Sequence, residues 1–140
     1  MHRGKRLSDG EWIYGYYWNN ELGNAFIRVT IDDETGFFVI EDHEVGFDTV
    51  GFYTDAEDDQ GEDIYSGDIV RIQDLGETKT SYVSEVYFSY ASGSLVDGHP
   101  AHREMGLGPK YRQLSWYTNR ESDTYCEIIG IIHDNPELLN

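Results

Sequence analysis

Four groups of residues have types and spacings that could do chemistry. The acidic run Asp55 to Asp63 invites a divalent cation, because clustered carboxylates are the usual oxygen ligands of calcium. An EF-hand loop needs Gly at position 6 and a bidentate Glu at position 12; with Gly61 at position 6, Ala56 falls at position 1 and Gly67 at position 12. The motif fails at both ends, and a solvated turn shaped by Gly61 is the reading adopted. His99 and His102 are two imidazoles three residues apart, the commonest zinc donors. No Cys pair or HExxH helix accompanies them, and Pro100 breaks a shared helical face, so no metal site is assigned and a surface loop is expected. The single cysteine, Cys126, lies in an apolar strand-like run, where a thiol is usually an inert small hydrophobe. No GxSxG elbow and no GxxxxGK loop is present. No catalytic residue and no cofactor are expected, and the chain reads as a non-enzyme.

The fourth group is aromatic. In an extended strand Trp12, Tyr14, Tyr16 and Trp18 share one face, while Ile13, Gly15 and Tyr17 take the other. Such rings can stack single-stranded bases, and Arg3, Lys5 and Arg6 are close in sequence. Packing in a core or at a subunit interface is the competing account, since aromatics are enriched at interfaces in general.

The elements that must position these groups read as strands. Glu11 to Trp18, Ala25 to Ile31 and Phe37 to Ile40 are separated by turn residues at Asn19-Asn20, Gly23-Asn24 and Asp32 to Gly36, which predicts a meander. Gly67-Asp68 leads into a strand at Ile69 to Ile72. Tyr82 to Tyr90 reads as one strand with Tyr82, Ser84, Val86, Phe88 and Tyr90 inward. Ala91 to Gly108 reads as a long exposed excursion, Arg112 to Thr118 as a strand, and Tyr125 to His133 as a strand in which Gly130 marks a bulge or a close backbone approach. Asn135, Pro136 and Glu137 have the grammar of a helix start, with room for one turn. The class is mainly β.

Charge sets the remaining bounds. The 140 residues carry 27 acids against 10 bases, a formal charge of −17, with 20 aromatic residues. That excess disfavours nucleic acid, whose affinity comes from Lys and Arg on phosphates, and anionic membranes alike. Between Arg28 and Arg71 there are 14 acids and no base, so the acidity belongs to one region. Asp32, Asp33, Glu57, Asp58, Asp59, Glu62 and Asp63 are the candidate acidic surface: gathered on one face they would favour a basic partner or cation, and scattered they would serve solubility. One cysteine, no signal-peptide pattern and no long apolar run make the cytoplasm the expected location.

Three blocks carry a resemblance. Arg3-Gly4-Lys5-Arg6 with Gly10-Glu11-Trp12-Ile13-Tyr14-Gly15-Tyr16, then Thr49 to Thr54 with Asp58, Gly61 and Ile64-Tyr65-Ser66-Gly67-Asp68-Ile69-Val70, and finally Ile128 to Ile132 with Asn135-Pro136-Glu137-Leu138-Leu139 resemble, in order and spacing, the YopX family of phage and prophage proteins. The family's Gln is Phe52 here, and its basic loop is the acidic stretch Glu57 to Glu62. The resemblance implies an N-terminal β segment, taken as 1–60, joined to a small SH3-like barrel, 61–140, with at most a short C-terminal helical turn. It also implies a homo-oligomer, makes the expected cytoplasm that of a bacterial host, and implies little about activity. The functional expectation is an uncharacterised oligomeric interaction protein binding an unknown host or phage protein; the alternatives are a nucleic-acid-binding module using the aromatic strand and an acidic DNA-mimicking inhibitor of a host protein.

Overall fold

The computed structural model describes residues 1–75, 80–98, 100, 106, 110–118 and 123–139. Its strands are β1 (His2–Lys5), β2 (Trp12–Asn19), β3 (Ala25–Asp32), β4 (Phe38–Val45), β5 (Gly51–Glu57), β6 (Asp63–Tyr65), β7 (Asp68–Asp74), β8 (Thr80–Glu85), β9 (Tyr87–Ser89), β10 (Gly93–Asp97), β11 (Tyr111–Gln113) and β12 (Thr124–Ile131). One helical turn, α1 (Ser115–Thr118), and two 3-10 turns, Phe47–Thr49 and Pro136–Leu139, complete the described elements. Hydrogen bonding orders the strands as β4-β3-β2-β1-β5-β6, β12-β7-β8 and β11-β10-β9. The chain divides into two compact units, Met1–Tyr53 and Thr54–Asn140, with the boundary inside β5.

In the first unit β2 changes partner midway. Trp12 to Gly15 pair with β1, and Tyr16 to Asn19 pair with β3. Gly15 permits the crossing, because a Cβ there would lie 2.2 Å from the Arg28 carbonyl oxygen. The core of this unit is small: Ala25, Ile27 and Val45 are buried, with Ile13, Tyr17, Val29 and Val50 packed against them. β3 and β4 pair along their whole length, Ala25 opposite Val45 through Asp32 opposite Phe38. Since β2 covers β3 only as far as Arg28, the outer half of this hairpin projects as a two-stranded ribbon.

The second unit has the larger core, with Ile64, Val70, Ile72, Val86, Val96, Leu114, Tyr117 and Cys126 buried together. β7 is its central strand, paired with β12 on one side and β8 on the other. The β12 register shifts between Ile128 and Gly130, the bulge expected at that glycine. Gly130 also lies against the C-terminal turn, where a Cβ would come 2.7 Å from a Leu138 methyl. Tyr82 donates to the Asp97 carbonyl at 2.9 Å and lies 3.1 Å from the Tyr117 hydroxyl, and the Asp97 N–H donates to Ser84 Oγ at 2.8 Å. Burial pushes the Tyr82 hydroxyl well above the usual phenol range.

The expected SH3-like barrel is not formed. Closure requires the strands to join edge to edge around a single sheet; the described strands instead make three small sheets. The stretch expected as one strand, Tyr82 to Tyr90, breaks at Val86 into β8 and β9 in different sheets. Val86 turns its backbone to the Gly67-Asp68 turn, donating to the Asp68 carbonyl and accepting from the Gly67 N–H, both at 2.8 Å. Ser84 and Val86 are therefore buried as expected, whereas Tyr90 is 89% exposed. Two further readings change. The excursion from Ala91 contains β10, with Val96 fully buried, and Arg112 to Thr118 is the end of β11 followed by α1. Helical structure is thus not confined to the C-terminus.

Candidate interaction surface

Strand register settles the geometry of the aromatic group. Trp12 stands opposite Lys5, Tyr14 opposite Arg3, Tyr16 opposite Arg28 and Trp18 opposite Phe26, so all four rings lie on one face with cations interleaved. This is the face away from Ile13, Tyr17 and Ile27, and the rings are not the core. The two tryptophans are engaged. The Trp12 ring lies 4.9 Å from the Arg3 guanidinium and 5.9 Å from Lys5 Nζ. Trp18 stacks on Phe26 at 4.6 Å and donates its indole N–H to Asp42 Oδ1 at 3.0 Å. Arg28 grips the same carboxylate through two bonds, at 2.9 and 3.0 Å. Hydrogen bonds from Arg28, then Trp18, hold the Asp42 carboxyl below the usual range. Tyr14 and Tyr16 remain exposed.

The candidate acidic residues fall on two hairpin turns, one in each unit. Asp32 ends β3 and Asp33 begins its turn in the first unit; Glu57 to Asp63 connect β5 and β6 in the second. Both turns, and the β2–β3 turn, repeat one device. Asp33 Oδ1 accepts the N–H of Thr35 at 2.9 Å and of Phe37 at 3.1 Å. Asp58 Oδ1 accepts those of Gln60 and Glu62, each at 2.9 Å. Asn20 Oδ1 accepts those of Leu22 at 3.1 Å and Asn24 at 2.9 Å. Each turn has a glycine at the fourth position with positive φ: Gly23 at 83°, Gly36 at 87° and Gly61 at 80°. The carboxylates of Asp33 and Asp58 therefore serve their own turns. Asp58 is buried, and its Oδ2 also accepts the Ile128 N–H at 3.0 Å, tying the loop to β12. The Thr35 hydroxyl, bonded to Asp33 Oδ1 at 2.6 Å, is the main cause of that carboxyl's lowered pKa.

His99 and His102 lie outside the described residues. Among the described residues no group of three or more His, Cys, Asp or Glu side chains is placed to hold a metal ion. No helix among them is long and apolar enough to cross a membrane. Cys126 is fully buried opposite Ile72, and burial pushes its thiol up to about 12.

One surface was absent from the sequence expectations. On the β3–β4 ribbon Ile31, Phe37, Phe38, Val39 and Ile40 are exposed, Phe37 by 73% and Phe38 by 63%. Ile31 and Val39, a directly opposed pair, continue the inward stripe of Ala25 and Ile27 beyond the strands that cover it. The signal available was the unalternating quartet Phe37 to Ile40, which a half-buried strand does not need.

No curated protein matches this chain. Its fold is similar to that in the crystal structure of protein EF1440 from Enterococcus faecalis, with a TM-score of 0.56 and 17% identity over 99% of this chain and 96% of that one. The YopX protein family model matches residues 2–140, and the chain belongs to that family of phage and prophage proteins.

Proposed function

We propose that this protein is a non-enzymatic, oligomeric interaction protein whose work is done by association with other protein surfaces. The observation that carries this reading is the β3–β4 ribbon, which presents five apolar side chains to solvent on a strand pair projecting past its neighbours. A two-stranded hairpin alone is marginally stable in water, and an exposed apolar strand edge is a template for further pairing. The tyrosines on the β2 face, Tyr14 and Tyr16, add amphipathic contact area of the kind enriched at interfaces.

The alternatives have less to rest on. For base stacking, Trp12 and Trp18 are already covered by cations and by Phe26, and Arg28 is paired with Asp42. For a phosphate mimic, the carboxylates of Asp33 and Asp58 are turned inward onto their own loops. Size-exclusion chromatography with light scattering tests the proposal: a mass that is a multiple of 16.1 kDa is expected, and a monomer at all concentrations would overturn it.

A further inference from the structure

Hydrogen-bond parity shows what the ribbon's two outer edges present. The Asp33 N–H donates to the Phe37 carbonyl at 2.8 Å, so Phe37 and, by strand alternation, Val39 and Glu41 direct their backbone polar groups to β3. Phe38, Ile40 and Asp42 direct theirs outward. Two bonds farther along agree: Leu7 N–H donates to Glu44 O at 3.1 Å, and Gly46 N–H to Lys5 O at 3.0 Å. β4 is the terminal strand of its sheet, and among the described residues no strand pairs with its outer edge from Phe38 to Asp42. The β3 edge is different in character, presenting Thr30 and Asp32, and an acid there discourages pairing.

Building on the interaction reading above, we infer that the β4 edge is a self-association surface. It pairs antiparallel with β4 of a second copy across a two-fold axis, Val39 opposite Val39 and Phe38 opposite Ile40. Parity requires an arrangement of this type: Phe38 and Ile40 both point outward and exchange both backbone bonds, while Val39 forms the non-hydrogen-bonded pair whose side chains approach closest. Charge selects the register. Centred on Val39, Glu41 faces Phe37 and Asp42 faces Gly36, so within the stretch from Gly36 to Asp42 no carboxylate opposes another. Sliding toward the C-terminal end sets Asp42 against Phe38, and then Glu41 against Glu41, which is unfavourable. Area is sufficient for a weak specific contact. With roughly 150–250 Å² for a whole aromatic side chain, the patch offers on the order of 500 Å² per copy, and about 1,000 Å² for the pair is the threshold of a specific interface.

Two variants of the full chain test the edge. Ile40→Pro removes an outward donor without touching the β3 side, a place where proline is tolerated; a monomeric mass with an unchanged circular dichroism spectrum is expected. Val39→Cys should yield a covalent dimer on mild oxidation, whereas Thr35→Cys, at the hairpin tip and far from the axis, should not. Cys126, fully buried, does not compete. An oligomer that survives Ile40→Pro, or linkage at Thr35→Cys as efficient as at Val39→Cys, overturns the edge assignment while leaving the interaction reading in place. A monomeric unmodified chain overturns both.

Discussion

The two units spend their apolar residues in opposite ways. In Thr54–Asn140, eight described side chains are buried in one cluster around β7, the strand paired on both sides. In Met1–Tyr53 only Ala25, Ile27 and Val45 are fully enclosed, while Ile31, Phe37, Phe38, Val39 and Ile40 stand in solvent. The first unit thus leaves more large apolar side chains outside than inside, which is the basis of the interaction reading proposed above. The other is built to hold a shape, and the difference suggests where stability and where association should respond to mutation.

The largest contrast should come from the cores. Ile72→Ala removes buried contacts inside the eight-residue cluster and should cost about 3–5 kcal/mol, while Ile27→Ala, in the smaller cluster, should cost about 2–3 kcal/mol in urea unfolding. Equal losses would break the comparison. Gly15→Ala comes next: the added methyl collides with a backbone carbonyl that cannot rotate away, at a cost of about 1–3 kcal/mol. If it melts like the unmodified protein, the crossing of β2 between partners is looser than its register indicates.

The paired turns offer a finer test. Asp58→Asn keeps one acceptor oxygen but turns an amide toward the Ile128 N–H, leaving a buried donor unmatched at about 1–3 kcal/mol. Asp33→Asn should cost less at neutral pH, because the Asp33 bonds to Thr35 and Phe37 use Oδ1 and Asn20 performs the same task, so that only the contribution of the carboxylate's charge is lost. The acid limb should differ. A carboxyl with a lowered folded pKa stabilises above its unfolded value and loses that contribution as pH falls through the folded one. Asp33→Asn should therefore flatten melting temperature against pH below the ordinary carboxylate range, and an unchanged slope would count against the turn's role. Smallest in structural consequence, alkylation of Cys126 near pH 8 should be slow in the native protein and fast in denaturant, since burial keeps the thiol protonated. Rapid native labelling would show that the larger core opens.

Local signals were legible where backbone chemistry decides. The strands from Trp12 and Ala25, the Gly130 bulge and the Pro136 turn follow from β-branched and aromatic runs, turn residues and a proline at a helical start. The second half of β4 was harder to read, because Glu41, Asp42 and Glu44 have poor strand propensity; opposed to Val29, Arg28 and Phe26 on β3, they extend nonetheless. The expected single strand from Tyr82 to Tyr90 failed at Val86 for a related reason. Its apolar pattern continues unbroken, and only a partner distant in sequence, the Gly67-Asp68 turn, diverts the backbone.

The candidate surfaces divide along the same line. Alternation alone placed Trp12, Tyr14, Tyr16 and Trp18 on one face, because strand periodicity is a covalent property of the backbone. Whether a ring on that face is covered, as Trp18 is by Phe26 and Asp42, or open, as Tyr16 is, depends on the opposite strand and so belongs to tertiary structure. Acidity between Arg28 and Arg71 was equally plain from composition, yet the fold decided what each carboxylate does, directing Asp33 and Asp58 onto the backbones of their own turns and pairing Asp42 with Arg28. The exposed ribbon is the clearest case. Phe37 to Ile40 would read the same in a core, and they face solvent where β2, which pairs with β3 only from Ala25 to Arg28, leaves the rest of the hairpin uncovered, an alignment of strands that tertiary structure decides.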